Sequence, residues 1–322
     1  MMTRSRGGER ALIGLIGLTC GTASVFASFP IGQTVAAGGR DAVVRLYDTG
    51  WGNSDLNGAG TGNIFMISAP DASPDIKVCM VTAHHVYDGF TPDHIAYRGR
   101  DQAGRFNATP YQWNIQRIGT ADLDFIGIKI KKADLGGNAA VLAAIAPLAL
   151  GASPNAVGFD VQEWGYGLSA TPDTVASTAY PFVYHPGVNA EEYGIMRTFA
   201  NRITVNTGAN AGGYAVHTLR WVVGGPAIAN VGSGAPGDSG AGLIDLAGNA
   251  NTVMGILTGG TDTRFTSGKI AWTNADTGSG IGFSQQVVDD LVNRCDLFIP
   301  APSSIGLGVG ALACIVPRRR RR

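Results

Sequence analysis

Three short segments of this chain hold side chains suited to nucleophilic chemistry. In Gly234-Ala235-Pro236-Gly237-Asp238-Ser239-Gly240-Ala241-Gly242 a serine stands among glycines. Glycine permits the tight turn that would present the hydroxyl, and the exposed N–H groups of such a turn can stabilise an oxyanion. Taken alone, Gly-Asp-Ser-Gly is also ordinary turn composition. Val81-Thr82-Ala83-His84-His85-Val86 ends a strand-like run on two imidazoles, and Leu123-Asp124-Phe125-Ile126-Gly127-Ile128-Lys129-Ile130 alternates in polarity. Period-two alternation puts Asp124 on the face of Ile126, Ile128 and Ile130, so a carboxylate points into an apolar layer. There it needs a partner, or else it bonds its own turn at a strand edge. A histidine makes chemical sense, because a carboxylate fixes the imidazole tautomer and stabilises the imidazolium formed when it accepts a serine proton.

The elements that must hold these groups read as strands. Val43 to Leu46, Asn63 to Ser68 and Ile76 to Thr82 are short strand patterns, and Ala69-Pro70-Asp71-Ala72-Ser73-Pro74-Asp75 supplies turn chemistry for a hairpin leading into His84-His85. Strand patterns stop in the Ala/Gly/Pro-rich stretch around Ala144 to Pro154, which marks a seam. They resume as Val157 to Trp164, Tyr193 to Val205, Tyr214 to Val223, Gly242 to Asp245, Val253 to Thr258 and Ile281 to Phe283. One mature helix is expected near the end, where Ser284 caps a segment with Val287, Val288 and Leu291 on one face. Parallel α/β units, repeats and long linkers are not visible.

The two ends read as addresses. Arg4, Arg6 and Arg10 precede an uncharged apolar stretch from Ala11 to Phe26 and small residues at Ala27, the arrangement of a signal peptide cleaved after Ala27, with Val25 at the minus-three position. At the other end Pro300-Ala301-Pro302-Ser303-Ser304 leads into an apolar run from Ile305 to Val316, then Pro317 and the arginines Arg318 to Arg322. A helix over that run, at about 1.5 Å per residue, reaches about 18 Å, which is short for a span. The order resembles bacterial Pro-Glu-Pro C-terminal sorting signals, with Ala301 where that family usually has Glu. The resemblance implies an exported bacterial protein at the cell surface or released from it, with transient membrane contact through its terminal segments and a sorting peptidase as partner.

The 322 residues carry 24 basic and 24 acidic side chains, so no net basic field recruits nucleic acid. With 15% charged residues and 47 glycines, an all-β body of short strands and tight turns fits best. The roughly 270 residues between the end segments suit two units of about 120 to 140 each. Cys20 and Cys314 lie in the end segments, which leaves Cys79 and Cys295 as one disulfide or two buried thiols. His94, His185 and His217 have no ligand-like spacing, so neither metal nor cofactor is expected.

Taken together, the three chemical segments resemble the His, Asp and Ser motifs of the trypsin/chymotrypsin family, in that family's order. The resemblance covers about residues 41 to 292, with weaker echoes at Trp164-Gly165 and Gly255-Ile256-Leu257-Thr258. It implies two six-stranded antiparallel β-barrels with a short C-terminal helix: residues 28–150 holding His85 and Asp124, and 151–295 holding Ser239, between a signal peptide (1–27) and a sorting tail (296–322). Carried over residue by residue, Ser239 is the nucleophile, the N–H groups of Gly237 and Ser239 form the oxyanion hole, His85 is the general base and Asp124 its partner. His84 and Asp122 remain rivals for the last two roles.

Departures from the pattern bear on activation and specificity. No Ile-Val-Gly-Gly follows a basic residue ahead of the first strand, so Asp238 lacks the new amino terminus that the family pairs with it. Ser233 falls where the family has the base of its specificity pocket, and Thr258, Gly259 and Gly260 on its wall; an uncharged base implies an apolar or medium-sized substrate side chain rather than strict Arg/Lys preference. Val86 replaces the cysteine after the histidine. Because the C-terminal helix of this fold packs over the first barrel, the resemblance implies a Cys79–Cys295 bridge. The expected function is a secreted, monomeric serine endopeptidase acting on protein or peptide; a non-catalytic surface module and a serine esterase or acyl transferase are the alternatives.

Overall fold

The computed structural model of the protein describes residues 41–47, 58–67, 77–90, 94–97, 105–107, 111–114, 123–131, 145–167, 171–172, 182–184, 196–211, 213–223, 232, 234–235, 237–248, 251–261, 263–264, 270–272 and 275–295. The turn 69–75, Asp122, Ser233, His185 and both end segments lie outside them.

Apolar and β-branched residues build the first half. Its strands are β1 (Val43–Tyr47), β2 (Gly58–Ile67), β3 (Lys77–Thr82), β4 (His94–Tyr97), β5 (Arg105–Asn107), β6 (Tyr111–Asn114) and β7 (Ile126–Lys131), with helix α1 (His84–Phe90) after β3. They form one antiparallel sheet in the order β5-β4-β1-β2-β3-β7-β6. Val78, Cys79, Met80 and Val81 are all buried, so the strand that delivers the histidines is covered on both faces. The expected hairpin is present, with Asn63 opposite Val81. Strand β7 pairs with β3 so that Ile126 stands opposite Thr82 and Ile128 opposite Met80.

The second half contains β8 (Ala149–Leu150), β9 (Asp160–Gly165), β10 (Thr171–Pro172), β11 (Phe182–Tyr184), β12 (Arg197–Arg202), β13 (Val205–Ala211), β14 (Tyr214–Val222), β15 (Gly242–Asp245), β16 (Thr252–Gly260), β17 (Thr263–Arg264), β18 (Ile270–Trp272) and β19 (Thr277–Phe283). Its main sheet runs β12-β9-β15-β16-β19-β14-β13, with β8 added in parallel to β16; β10, β11, β18 and β17 form a small sheet. Among the described residues the body is thus mainly β, in two large sheets of seven and eight strands where the resemblance implies six each. The additions have local causes. β5 and β8 are two- or three-residue pairings at the ends of longer ladders. The run expected as one strand from Tyr193 to Val205 divides at Ile203 and Thr204, where the chain leaves β9: the Thr204 N–H bonds to Arg220 O, and β13 then pairs with β14.

Helix α2 (Gln285–Cys295) begins as expected, the Val287 N–H donating to Ser284 Oγ at 3.3 Å. Val287, Val288, Leu291 and Cys295 are its buried face. Cys295 forms a disulfide with Cys79 of β3, their Cα atoms 6.0 Å apart. The stretch 145–153 ties the halves together: Leu148 N–H donates to Ile64 O (2.9 Å), Gly151 N–H to Val253 O (3.0 Å) and Ser153 N–H to Phe283 O (2.7 Å).

Candidate active site

The register of β3 and β7 determines where the carboxylate meets the imidazole. With Thr82 opposite Ile126, continuing the antiparallel ladder past the ends of both strands brings Asp124 level with the start of α1. There the His85 N–H donates to Asp124 Oδ1 at 2.9 Å, and His85 Nδ1 lies 2.6 Å from Asp124 Oδ2. One carboxylate therefore holds both the backbone and the ring of His85. Asp124 precedes β7 rather than continuing its alternation: Phe125 N–H folds back to Leu123 O (2.7 Å), and the Phe125 ring packs against Phe283 at 5.7 Å between centroids. The pair is partly open, His85 with 39% of its side chain exposed and Asp124 with 17%. His84, the rival imidazole, is buried at the head of α1.

The Ser239 turn docks on the first half through β2. Thr61 N–H donates to Ser239 O (2.8 Å), Thr61 Oγ1 donates to Gly237 O (3.1 Å), and Asn63 Nδ2 donates to Gly240 O (2.7 Å). Thr82, at the end of the histidine strand, donates its hydroxyl to Thr61 O (2.7 Å). Gly60 lies at the junction: a Cβ there would meet Val86 Cγ2 at 2.6 Å and Ser239 O at 2.7 Å. Strand residues Gly60, Thr61 and Asn63 were not singled out from sequence, although glycines inside a strand are the pattern that marks close approach of another backbone.

The turn's own geometry fits anion stabilisation. Gly237 and Gly240 have φ of 99° and 86°, values that favour glycine. The N–H groups of Asp238, Gly240 and Ala241 donate to Ala235 O, Leu257 O and Asp238 O, whereas those of Gly237 and Ser239 bond to no described residue. Asp238 is buried and receives N–H bonds from Gly167 (2.6 Å) and Ala235 (2.9 Å). Burial pushes its carboxyl up to about 6, against the opposing pull of those two N–H groups and of Arg197. Gly165 and Gly167 press on this carboxylate so closely that a Cβ at either would collide with it.

Of the expected pocket residues, Thr258 and Gly259 are half-buried and Gly260 exposed at the end of β16, beside a register shift between Leu257 and Gly259. A Cβ at Gly259 would find only Ser279 Oγ, at 3.6 Å. Among the described residues no group of three His, Cys, Asp or Glu side chains could hold a metal ion.

No family model matches the chain, and no curated protein does. Among solved structures it is similar to neuropsin, a serine protease expressed in the limbic system of mouse brain, at 11% identity and a TM-score of 0.49, covering 82% of this chain and 98% of that one.

Proposed function

We propose that the chain is a serine peptidase that cleaves protein or peptide through an acyl-enzyme, its two sheets acting as chymotrypsin-like barrels. The carrying observation is the His85 imidazole, gripped at ring and backbone by Asp124, at the end of the strand that abuts the Ser239 turn. In this reading His85 Nε2 takes the proton of Ser239 Oγ as that oxygen attacks the scissile carbonyl carbon. The Asp124 carboxylate stabilises the imidazolium, and the Gly237 and Ser239 N–H groups stabilise the oxyanion. The imidazolium then protonates the leaving amine, the C–N bond breaks, and an ester remains on Ser239. Water, deprotonated by His85 in turn, attacks the ester and releases the acid.

The bonds from Gly167 and Ala235 to Asp238 support activity without a newly cut amino terminus. Residues 1–27 and 296–322 fit export and surface sorting in a bacterium, and a monomer is the proposed working form. A fluorophosphonate probe tests the reading. The mature protein should be labelled at Ser239, and Ser239→Ala and His85→Ala should abolish labelling; a folded wild type that takes up no probe would rule the reading out.

A further inference from the structure

Thr61 of β2 takes no part in the chemistry above, yet all of its polar atoms are engaged around the Ser239 turn. It is fully buried. Its N–H donates to Ser239 O (2.8 Å), and its carbonyl accepts the Thr82 hydroxyl at the end of β3 (2.7 Å). Its hydroxyl oxygen stands 3.1 Å from Gly237 O and 3.1 Å from the Tyr166 nitrogen. A backbone amide can only donate, so the Thr61 oxygen accepts from Tyr166 and its single hydrogen goes to Gly237 O. The branched side chain of threonine has few χ1 rotamers, which keeps the oxygen between those two partners.

The peptide groups of the turn depend on these bonds. The peptide joining Gly237 to Asp238 is held at both ends, its carbonyl by Thr61 Oγ1 and its N–H by Ala235 O (2.9 Å). The peptide joining Ser239 to Gly240 is held by the Thr61 N–H and, at the Gly240 N–H, by Leu257 O (2.8 Å). Between them the Asp238 carbonyl accepts from the Ala241 N–H (2.7 Å), while the Ser239 N–H bonds to no described residue. Gly237, at φ 99°, has no side chain to fix its backbone, so the direction of its carbonyl is set by the bond it accepts. Without the Thr61 hydroxyl that peptide can rotate, with loss of the Asp238 N–H bond to Ala235 and of the aim of the Gly237 N–H. The consecutive amides after β9 act on the same unit: Tyr166 N–H through the Thr61 hydroxyl, and Gly167 N–H at Asp238 Oδ1 (2.6 Å).

We propose that Thr61 is a positioning residue for the oxyanion hole: its hydroxyl, oriented by the Tyr166 N–H, fixes the Gly237–Asp238 peptide so that the Gly237 and Ser239 N–H groups converge on one point. This rests on the serine-peptidase reading and deepens it. The first half thereby sets the anion site of the second, and together with the Gly167 bond to Asp238 it keeps the turn in its working shape without a newly cut amino terminus.

The test compares the mature wild type with Thr61→Val, which keeps the shape and loses the hydroxyl, and Thr61→Ser, which keeps the hydroxyl. Each is assayed with a cleavable peptide and with a peptidyl trifluoromethyl ketone. Ser239 Oγ adds to the ketone carbon, its proton passes to His85 Nε2, and the ketone oxygen becomes an oxyanion in the hole. Thr61→Val should lower kcat by on the order of 100-fold with KM little changed, and should weaken ketone binding by a similar factor. Thr61→Ser should recover most of both losses. A merely structural threonine would lower Tm and leave the kcat of the folded variant as it was. An unchanged kcat in folded Thr61→Val, a loss carried by KM, undiminished ketone binding, or equal losses in the two variants would overturn the assignment while leaving the peptidase reading intact. A wild type that neither cleaves nor labels at Ser239 would remove both. Should Thr61→Val not fold, Thr61→Ala takes its place below its Tm, and a loss in Thr61→Ser that falls on KM rather than on kcat overturns the assignment by itself.

Discussion

Asp238 and Glu163 put two carboxyl groups inside the second half, and burial pushes both above the usual carboxylate range. An acid whose pKa is higher folded than unfolded binds more protons in the folded state, so its contribution to stability is full at low pH and is lost as pH rises. For Asp238 the window runs from the ordinary 3.8 to about 6, a rise corresponding to about 3 kcal/mol. For Glu163 it opens at the ordinary 4.5 and extends well above. Rising pH therefore works against the fold at these positions, the reverse of a salt-bridged aspartate. Glu163→Gln removes one of the two penalties, so its Tm should exceed that of wild type by a margin that widens by a few degrees between about pH 5 and about pH 8. A constant margin in thermal melts would mean that Glu163 ionises as freely folded as unfolded.

The elements around the site differ in how far local sequence could announce them. The β2–β3 hairpin and α2 were legible, because period-two runs flank strong turn chemistry in one case and a serine cap precedes an apolar stripe in the other. Helix α1 was not, since His84-His85-Val86-Tyr87-Asp88-Gly89-Phe90 has a β-branched residue, a glycine and no apolar face of helical period. Asp124 was legible as a carboxylate needing a partner, though it precedes β7 instead of lying within its pattern. What no local pattern could show is the dependence of the Ser239 turn on Thr61, 176 residues before the Gly237 carbonyl that it bonds. Gly240 tests that dependence, having a positive φ and lying against Thr61 O and the Ala83 amide, where a Cβ would meet the latter at 2.8 Å. Gly240→Ala should force the serine turn away from the end of β3, which leads into His85, lowering fluorophosphonate labelling at least tenfold while the protein still melts cooperatively at a lower Tm. Full-rate labelling would show that the turn moves independently of that strand.

If the proposed site is the working one, its two halves must hold a constant relation, because His85 and Asp124 come from the first half and Ser239 from the second. Side-chain and backbone bonds from Thr61 and Asn63 hold them at the site itself, and the stretch 145–153 holds them along one side. The disulfide adds a tether of a different kind. Cys79 lies on β3, the strand that runs directly into α1, while Cys295 ends the helix that packs on β7, β14 and β19; both are fully buried. The bond closes a loop of 216 residues, and a crosslink of that span acts mainly by restricting the unfolded chain. Replacing both residues as Cys79→Ala/Cys295→Ala removes the crosslink without leaving a lone thiol. It should cost about 3–5 kcal/mol and lower Tm by about 10 °C. Below that lowered Tm the variant should keep its labelling rate at Ser239, because Thr61 and Asn63, not the sulfurs, contact the Ser239 turn. A labelling rate that falls with the disulfide at a temperature where the variant is folded would instead make the crosslink part of the alignment of His85 with Ser239.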